Sequence, residues 1–383
     1  MGRTVPTGRR RSSGTGRKST GNRKSAGWNG RTRAGAAGGT ENHADPGESG
    51  ALLGSRWRRY EEAMADHLND DLGRAGLPGN ACDVVIIGGG PGGLSAALAL
   101  GRARKRVLLC DSGPRRNAAA KEIHNFVTRD GTPPEEFRAS GRQQLAAYPN
   151  VAVRGERVQS IAGTRGAFRV ALETEVVEGR RVLLCTGMID ELLPLEGFRE
   201  LWGRAIFQCP YCHGWEARER RWGYLARELD PRHFPAFPIM LRGWTRDVVV
   251  FTNGADVSRE ARESLRAAGV ALETRPVVRL RGRDEQLEAV ELEGGATVAC
   301  EALFAQPPQR QVDLVRDLGV ALDDDGYVRV DPMTRETSMP GVYAAGDLTT
   351  RMQGAVLAAA AGMHAAAVMN MELTLELAAK GAL

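Results

Sequence analysis

Acidic residues are missing from the first forty positions of the chain, which carry ten Lys or Arg residues. The 383-residue chain has a formal net charge of +5, so setting aside those ten positive charges leaves −5 for residues 41–383. The basic segment is rich in Gly, Ser and Thr without a hydrophobic period, which predicts a disordered tail over residues 1–80. An inert extension, or sequence upstream of a true start at Met64, is favoured over contact with nucleic acid.

Long apolar runs are also missing. No hydrophobic segment follows the basic residues, which argues against a secretory signal. The most apolar run, Ala355–Met369, is shorter than the roughly 20 residues that a membrane span needs, and it contains His364. We therefore expect a cytoplasmic protein without a membrane partner, long enough for two domains with cores of their own.

Cysteine is scarce, with six residues, and a cytoplasmic chain is not expected to use them as a disulfide framework. Two of them, Cys209 and Cys212, are separated by two residues in the segment QCPYCHGWE at 208–216, and His213 follows directly. The others stand singly in apolar or strand-like runs and are expected to be buried small hydrophobic residues. These are Cys82, Cys110, Cys185 and Cys300.

The CxxCH pattern is shared by three other kinds of site. Attachment of c-type haem requires export, and no signal is visible. A structural zinc ion requires two further ligands at finger spacing, and the sequence has no second CxxC, no CxH and no HxxxH. Glutaredoxins carry CPYC near the start of a domain of about 100 residues, whereas here it lies in mid-chain. These absences favour a redox-active thiol pair without a metal.

A glycine-rich turn lies at the start of the expected ordered region. Cys82–Gly113 has the pattern strand, tight turn, helix, strand, and the first strand is a continuous apolar run typical of a parallel sheet. Gly88, Gly90 and Gly93 form GxGxxG in the turn, and Asp111 follows Gly88 by 23 residues. In this context the motif predicts a dinucleotide site, with the pyrophosphate at the helix N-terminus and Asp111 on a ribose hydroxyl.

The rest of the chain alternates strands and helices. Strand-like segments follow at residues 151–155, 167–172, 180–187, 220–226, 247–254 and 270–282, with a helix at 258–269. A last strand within 337–350 ends at Gly346-Asp347 and precedes an alanine-rich helix. The alternation predicts an α/β fold with two Rossmann-like domains.

The GxGxxG turn, the CxxC pair and the segment PGVYAAGD at 340–347 occur in the order found in low-molecular-weight thioredoxin reductases. Residues 81–377 resemble this family of FAD/NAD(P)-dependent pyridine nucleotide-disulfide oxidoreductases. CPYCHG is most similar to a bacterial branch related to the dithiol oxidases of gliotoxin-type products. The resemblance implies a homodimer with a first FAD-binding part at 81–188, an inserted NAD(P)H-type domain carrying CxxC at 189–305, and a second FAD-binding part at 306–383.

The resemblance also implies which residues bind FAD. At the adenosine and pyrophosphate end they are Gly88, Gly90, Pro91, Gly92 and Gly93 at the pyrophosphate, Asp111 at the adenosine ribose and Val158 at the adenine. Arg116 and Asn117 lie in the loop after the second strand, and Gly187 lies in the turn that returns to the sheet. At the flavin end they are Asn125 at the flavin, Gly346 and Asp347 at the ribityl or phosphate side, and Gln353 near the isoalloxazine.

The thiol pair has the residue types that disulfide exchange requires. If a helix begins at the motif, its N-terminus lowers the thiol pKa from about 8.5 toward a range of about 3.5–7.5, and the thiolate attacks a disulfide or a flavin. The resemblance implies that Cys212 faces the flavin and Cys209 exchanges with the substrate. His213, with an ordinary pKa near about 6.5, is the candidate for moving a proton between thiol and thiolate. His124 is a second candidate, the alternative being a structural loop histidine.

A second nucleotide fingerprint is missing where the inserted domain should carry one. The segment RRWGYLARELDPRHFPAFP at 220–238 has Gly223 alone in place of GxGxxG, and no His-Arg-Arg cluster follows the strand at 247–251. The fold of that domain is therefore expected to persist, while its binding of NADPH is doubtful.

Three functions remain open at this point. One is a disulfide reductase that passes electrons to a thioredoxin-like protein or a small disulfide. Another is a dithiol oxidase, in which the CxxC disulfide takes electrons from a substrate dithiol and oxygen reoxidises the reduced FAD. The missing fingerprint favours oxygen or a protein donor over NADPH. A flavin-binding redox sensor without turnover is disfavoured by the intact CxxC.

Overall fold

The structure, a computed structural model, describes residues 81–113, 115–227, 229–230 and 233–381, all within the compact unit Tyr60–Leu383. The predicted tail at 1–80 lies outside the described residues. Within them the predicted α/β class is confirmed, since two largely parallel sheets are each covered on both faces by hydrophobic clusters.

The helices and strands are numbered in chain order. The helices are α1 (Pro91–Arg102), α2 (Pro134–Leu145), α3 (Phe198–Leu201), α4 (Pro210–His213), α5 (Ala236–Met240), α6 (Arg259–Ala267), α7 (Asp313–Leu318) and α8 (Ala355–Ala379). The strands are β1 (Ala81–Ile87), β2 (Val107–Cys110), β3 (Val151–Arg154), β4 (Ser160–Thr164), β5 (Ala167–Ala171), β6 (Val176–Leu184), β7 (Ile189–Asp190), β8 (Ile206–Phe207), β9 (Trp222–Leu225), β10 (Val248–Phe251), β11 (Ala271–Glu273), β12 (Val277–Arg283), β13 (Gln286–Leu292), β14 (Thr297–Ala299), β15 (Ala302–Ala305), β16 (Gln309–Arg310) and β17 (Val342–Ala344).

The first sheet has seven strands in the order β3-β2-β1-β6-β5-β4, with β17 also paired to the end of β6. The pairs among β1, β2, β3, β6 and β17 are parallel, whereas β4 and β5 extend β6 as an antiparallel meander. Every residue of β1 from Val84 to Ile87 is buried, as its continuous apolar run predicts for a central parallel strand. The strand β4 was not predicted, because most of its residues are exposed and it lacks an apolar period.

Glycines set the contacts of α1. The helix begins directly after the glycine turn, with Gly90 at its N-cap and Pro91 in its first turn. It also crosses α8 closely, because a Cβ on Gly362 would lie 2.0 Å from the carbonyl oxygen of Gly92. Only glycine permits that approach, so α8 is held against the helix whose N-terminus faces the predicted dinucleotide site.

The second sheet has five parallel strands in the order β11-β10-β9-β15-β8. The four residues of β10 are all buried, as are the four of β9 and of β15. The helix predicted at 258–269 is α6, which begins after Ser258 because the serine Oγ accepts the backbone N–H of Ala261 at 3.2 Å.

The prediction of one strand over 270–282 is wrong. Two strands, β11 and β12, occupy it, and β12 belongs to a separate antiparallel sheet with β13 and β14. The chain turns between them because Pro276 has no backbone donor and the Glu273 carboxylate accepts the N–H of Arg275 at 3.0 Å.

The apolar run near the C-terminus was predicted to be too short for a membrane span, but α8 continues it to 25 residues. Among the described helices, α8 is the one that is long and apolar enough to cross a membrane, by length and composition alone. One side of it, including Ala365, Ala366 and Met369, is buried in the hydrophobic cluster between α8 and α1. The predicted domain limits after residues 188 and 305 lie beside β7 and β16, which pair with each other; the division itself stays a prediction.

Candidate active site

The thiol pair lies at the start of α4. Cys209 precedes the helix in an extended conformation (φ −123°, ψ 118°), and Pro210 occupies the first turn, where its missing N–H has no helical partner to lose. The amide of Cys212 donates to the carbonyl of Cys209 at 3.2 Å, so both side chains leave the same turn. Both cysteines are half-buried free thiols.

The two thiols differ in acidity. A hydrogen bond from the Cys212 side chain, together with the backbone N–H groups of Cys212 and Tyr211 and the positive charge of Arg116, outweighs burial and lowers the pKa of Cys209 to about 7. The same hydrogen bond, with burial and the negative charge of Asp347, raises the pKa of Cys212 far above its usual range. At neutral pH Cys209 is therefore the cysteine that ionises. Its predicted role as the exchanging thiol stays a prediction.

His213 occupies a different setting from the one that its ordinary pKa suggested. Its ring stacks on Phe207, with centroids 4.4 Å apart and planes 13° apart. Burial lowers its pKa to about 4, against the opposing carboxylate of Glu216 and the carbonyl of Cys209. Neither ring nitrogen completes a hydrogen bond with any described residue. The ring is therefore neutral near neutral pH, and the predicted role of His213 in moving a proton stays a prediction.

His124 lies among three carboxylates. Its Nε2 is 3.6 Å from Glu122 and 3.6 Å from Glu216, and its Nδ1 is 3.5 Å from Asp130. Because Glu216 belongs to the segment after α4, these contacts join the loop of His124 to the thiol motif. The structure thus brings both predicted histidines to the same end of α4.

Asn125 makes a direct link between the predicted flavin loop and the CxxC motif. Its backbone is left-handed (φ 62°), a region that asparagine tolerates better than most residues. Its side-chain Nδ2 donates to the carbonyl oxygen of Tyr211 at 2.6 Å. The segment between the two cysteines is therefore fastened to the first FAD-binding part of the chain.

The glycine turn has the shape of a pyrophosphate cradle. A Cβ on Gly88 (φ +109°) would lie 2.2 Å from a backbone carbonyl oxygen, and one on Gly93 would lie 1.9 Å from the oxygen of Gly88. These two positions must be glycine for the turn and the helix to pack. Nothing lies within 4 Å of the corresponding position on Gly90. That open space lies at the N-terminus of α1, beside Pro91 and Gly92, and it fits an approaching phosphate of FAD.

Asp111 lies against the backbone of Gly89 at the end of β2, where a ribose is expected. Its Oδ2 accepts hydrogen bonds from Arg138 and from Arg142, the latter at 2.7 Å. Although burial opposes ionisation, these two guanidinium groups lower the pKa of Asp111. Among the described residues, the other oxygen, Oδ1, accepts only from the amide of Gly113 at 3.4 Å, so it is the atom left for a ribose hydroxyl.

Arg116 lies at the centre of a polar cluster beside the thiol pair. It contacts Asp190, Gln208, Asp347 and Gln353. Two of these partners, Asp347 and Gln353, were predicted site residues, whereas Asp190 and Gln208 were missed. The position of Gln208 directly before Cys209 is the one signal that would have found it; Asp190 carries no motif.

Four predicted site residues remain, namely Asn117, Gly187, Gly346 and Val158. Asn117 is exposed in a turn, and Gly187 (φ +67°) has open space where a Cβ would stand. Gly346 (φ +97°) begins the short 3-10 turn that carries Asp347. Val158 is 5% exposed within the hydrophobic core, which leaves little side-chain surface for an adenine ring.

Gly223 has a packing role in the second sheet. A Cβ there would lie 2.6 Å from Leu303 Cδ1 and 2.9 Å from both Cys300 Sγ and Phe251 Cε2. The glycine is therefore enclosed by side chains of its own sheet. It does not provide open backbone for a phosphate, unlike Gly90.

Aromatic packing follows Gly223 in the described part of this segment. Tyr224 is 6% exposed, and burial raises its pKa to about 12. Its ring packs on Phe237 with centroids 5.0 Å apart. Phe237 belongs to α5, which has only five residues and begins after Pro235. In the described part of this segment a short, proline-started helix packs on a buried tyrosine, and the expectation that NADPH does not bind there stays a prediction.

Comparison with known proteins shows which proteins the chain is similar to. Residues 82–229 and 245–362 match the family model described as pyridine nucleotide-disulphide oxidoreductase. Thioredoxin reductase tcpT of Claviceps purpurea is 32% identical over 311 residues, covering 78% of this chain and 96% of that protein. The crystal structure of an oxidoreductase from Agrobacterium tumefaciens aligns with a TM-score of 0.71 and 36% identity, covering 77% and 99% of the two chains. A putative thioredoxin reductase from Bacillus anthracis aligns with a TM-score of 0.72 and 32% identity, covering 77% and 99%. The chain therefore belongs to the pyridine nucleotide-disulphide oxidoreductase family, as a thioredoxin reductase-like flavoprotein enzyme.

Proposed function

We propose that this enzyme oxidises dithiols or reduces disulfides through Cys209 and Cys212, with FAD bound beside them. The observation that carries the proposal is the meeting of the thiol pair with the predicted flavin residues. Asn125 donates a hydrogen bond to the segment between the cysteines, Arg116 acts electrostatically on both thiols, and Asp347 acts on Cys212. Bound FAD supplies a two-electron carrier next to the pair.

The exchange step uses the acidity difference between the two thiols. In the oxidative direction a substrate thiolate attacks Cys209 of the Cys209–Cys212 disulfide, and the released Cys212 sulfur takes up a proton to become the thiol. The second substrate thiol then attacks the mixed disulfide, releasing Cys209 and closing the substrate disulfide. Two electrons and two protons pass from the substrate to the pair. Cys209, whose pKa is about 7, is a better leaving group than Cys212, which suits its release in the second attack.

We propose further that the electrons leave through FAD to oxygen and that NADPH is not a partner. The packing around Gly223 and the short helix α5 support this direction. The net reaction then converts a dithiol and oxygen to a disulfide and hydrogen peroxide. The reductase alternative needs a donor other than NADPH.

Anaerobic mixing experiments test the proposal. We expect a dithiol to bleach the visible flavin band of the holoenzyme, NADPH to leave it unchanged, and air to restore it with formation of peroxide. A Cys212→Ser variant should keep FAD and lose dithiol turnover, and a Cys82→Ala control should keep both. Rapid bleaching by NADPH would exclude the oxidase direction, and full turnover by Cys212→Ser would overturn the site.

We also propose that two copies of the chain associate through the exposed side of α8. That side carries five large apolar residues that are 40–61% exposed: Val356, Leu357, Met363, Met371 and Leu375. Burial of such a row against a second copy would remove it from water. Sedimentation of the purified protein should show a dimer, and a Met371→Lys variant should shift it toward monomer. A wild-type monomer, or a dimer unaffected by Met371→Lys, would contradict this.

A further inference from the structure

We propose that Arg116 is a positioning residue of the thiol pair, one that fastens the residue before Cys209 to the second FAD-binding part of the chain. The inference rests on the proposed exchange at Cys209. The resemblance implied only a cofactor contact for Arg116, in the loop after the second strand. The structure gives it a different set of partners.

The guanidinium group of Arg116 is shared between distant parts of the chain. Its Nε and Nη2 donate to the two carboxylate oxygens of Asp190 at 2.7 and 2.8 Å. Nη2 also donates to Gln208 Oε1, while Nη1 donates to Gln353 Oε1 and, at 3.3 Å, to Asp347 Oδ2. A planar fork with five N–H donors can serve all four partners at once, which a lysine ammonium cannot do.

The partners of Arg116 are themselves held in place. The Asp190 side chain is 6% exposed, and its Oδ1 also accepts from Gln309 at 2.8 Å. Tyr327 donates its hydroxyl to Gln309 Oε1 at 2.9 Å, and Gln353 donates to the same oxygen at 2.8 Å. Asp190 and Gln309 face each other across the pair β7 and β16. Arg116 is thus anchored to the two short strands that lie beside the predicted domain limits.

Gln208 connects the contacts of Arg116 to the reactive sulfur of Cys209. Gln208 directly precedes Cys209, so holding its side amide fixes the chain where α4 begins. Apart from the cysteines themselves, the charged groups that act on the pair include Arg116 and Asp347. Of these, only Arg116 favours the thiolate by a fixed positive charge, which is one of the causes of the lowered pKa of Cys209.

Two substitutions separate position from charge. Arg116→Lys keeps the positive charge and loses the fork, and Asp190→Asn removes a negative charge without touching the thiol pair. If charge alone mattered, Arg116→Lys would be nearly silent and Asp190→Asn would lower the pKa of Cys209. If position matters, both variants should slow exchange at Cys209, by on the order of ten-fold. Arg310→Met is the control, because Arg310 lies on β16 but pairs outward with Glu191 and Asp313.

The measurement uses FAD-loaded, dithiol-reduced protein. The rate at which iodoacetamide alkylates Cys209 is followed against pH by mass spectrometry, and bound FAD and the rate of disulfide exchange are measured on the same samples. We expect Arg116→Lys and Asp190→Asn to retain FAD, to lose about ten-fold in exchange, and to differ from Arg310→Met, which should match wild type.

Three results would overturn the inference. In the first, Arg116→Lys loses FAD, but its rates of Cys209 alkylation and disulfide exchange return to normal when FAD is added in excess. Arg116 would then have only a cofactor role. In the second, Asp190→Asn is alkylated faster at Cys209 while its rate of disulfide exchange is unchanged, so that Arg116 would act on the thiol pair by charge alone. The third is an equal loss in Arg310→Met. If the wild-type enzyme exchanged no dithiol, the proposed function would fail, while the alkylation profiles would still decide the role of Arg116.

Discussion

Alanine at Gly223 is expected to destabilise the second sheet and to leave FAD binding unchanged. The added Cβ would meet Leu303, Cys300 and Phe251 at 2.6–2.9 Å, closer than packed atoms stand. Overpacking of this kind costs about 1–3 kcal/mol. The backbone φ of Gly223 is not positive, so alanine also gains about 0.4–1 kcal/mol by restricting the unfolded chain. The expected net loss in unfolding free energy is about 1–2 kcal/mol.

Alanine at Gly90 should show the opposite pattern. Nothing in the described chain lies within 4 Å of its added Cβ, and its backbone (φ −76°, ψ −175°) suits alanine, so the apoprotein should unfold almost as wild type does. The methyl group would stand where a phosphate approaches the N-terminus of α1. Losing one hydrogen bond to a charged phosphate is worth about 1.5–3 kcal/mol, which corresponds to about a 10- to 100-fold weaker affinity for FAD.

Both variants can be measured in the same two assays. Urea unfolding of the apoprotein gives the free energy, and the fluorescence of FAD on titration gives the affinity. Gly223→Ala should change only the free energy of unfolding, and Gly90→Ala should change only the affinity for FAD. The assignment of Gly223 to packing fails if Gly223→Ala is as stable as wild type, or if NADPH binds the wild-type enzyme and this variant abolishes that binding.

Three other changes test the electrostatics. His213 should make the enzyme less stable as pH falls from 6.5 to about 4, because its pKa is lower in the folded state and the unfolded chain binds the proton first. The free energy of unfolding should fall by at most about 3.4 kcal/mol across this window, and urea unfolding of His213→Gln should show a flatter pH dependence there. Cys209 should be alkylated well before Cys212 at pH about 7, as read by mass spectrometry. Asp111→Asn removes the nearer of two carboxylates from the buried Arg138, the other being Glu135 at 3.7 Å, and should cost about 2 kcal/mol in unfolding free energy. An unchanged midpoint in urea would contradict the ion pair.

The elements that could be predicted from the sequence are those in which neighbours along the chain decide the structure. The turn at Gly88, Gly90 and Gly93 is one such case, because the spacing of three glycines sets a tight turn and a close helix contact by itself. The start of α4 at Cys209 is another, since Pro210 marks the first turn of a helix.

The parts that could not be predicted depend on long-range packing. Asp190 reaches Arg116 across 74 residues and Gln353 reaches it across 237, and no local spacing indicates either contact. The lowered pKa of His213 follows from burial against Phe207, which the motif CPYCHG does not reveal. The break between β11 and β12 escaped prediction because the apolar residues on both sides of Pro276 suit a strand equally well.

The loss of a nucleotide fingerprint and the retention of its sheet have one physical explanation. The strand β8 ends at Phe207, two residues before Cys209, and it is held at the edge of the second sheet by pairing with β15, which in turn pairs with β9. Gly223 lets Leu303 of β15 and Phe251 of β10 close over β9. The position of the thiol pair is set by the packing of β8, β15 and β9, which involves no nucleotide. Substitutions at a nucleotide-binding turn therefore need not move Cys209. The second sheet therefore supports the strand that leads to the thiol pair, whichever molecule exchanges electrons with the flavin.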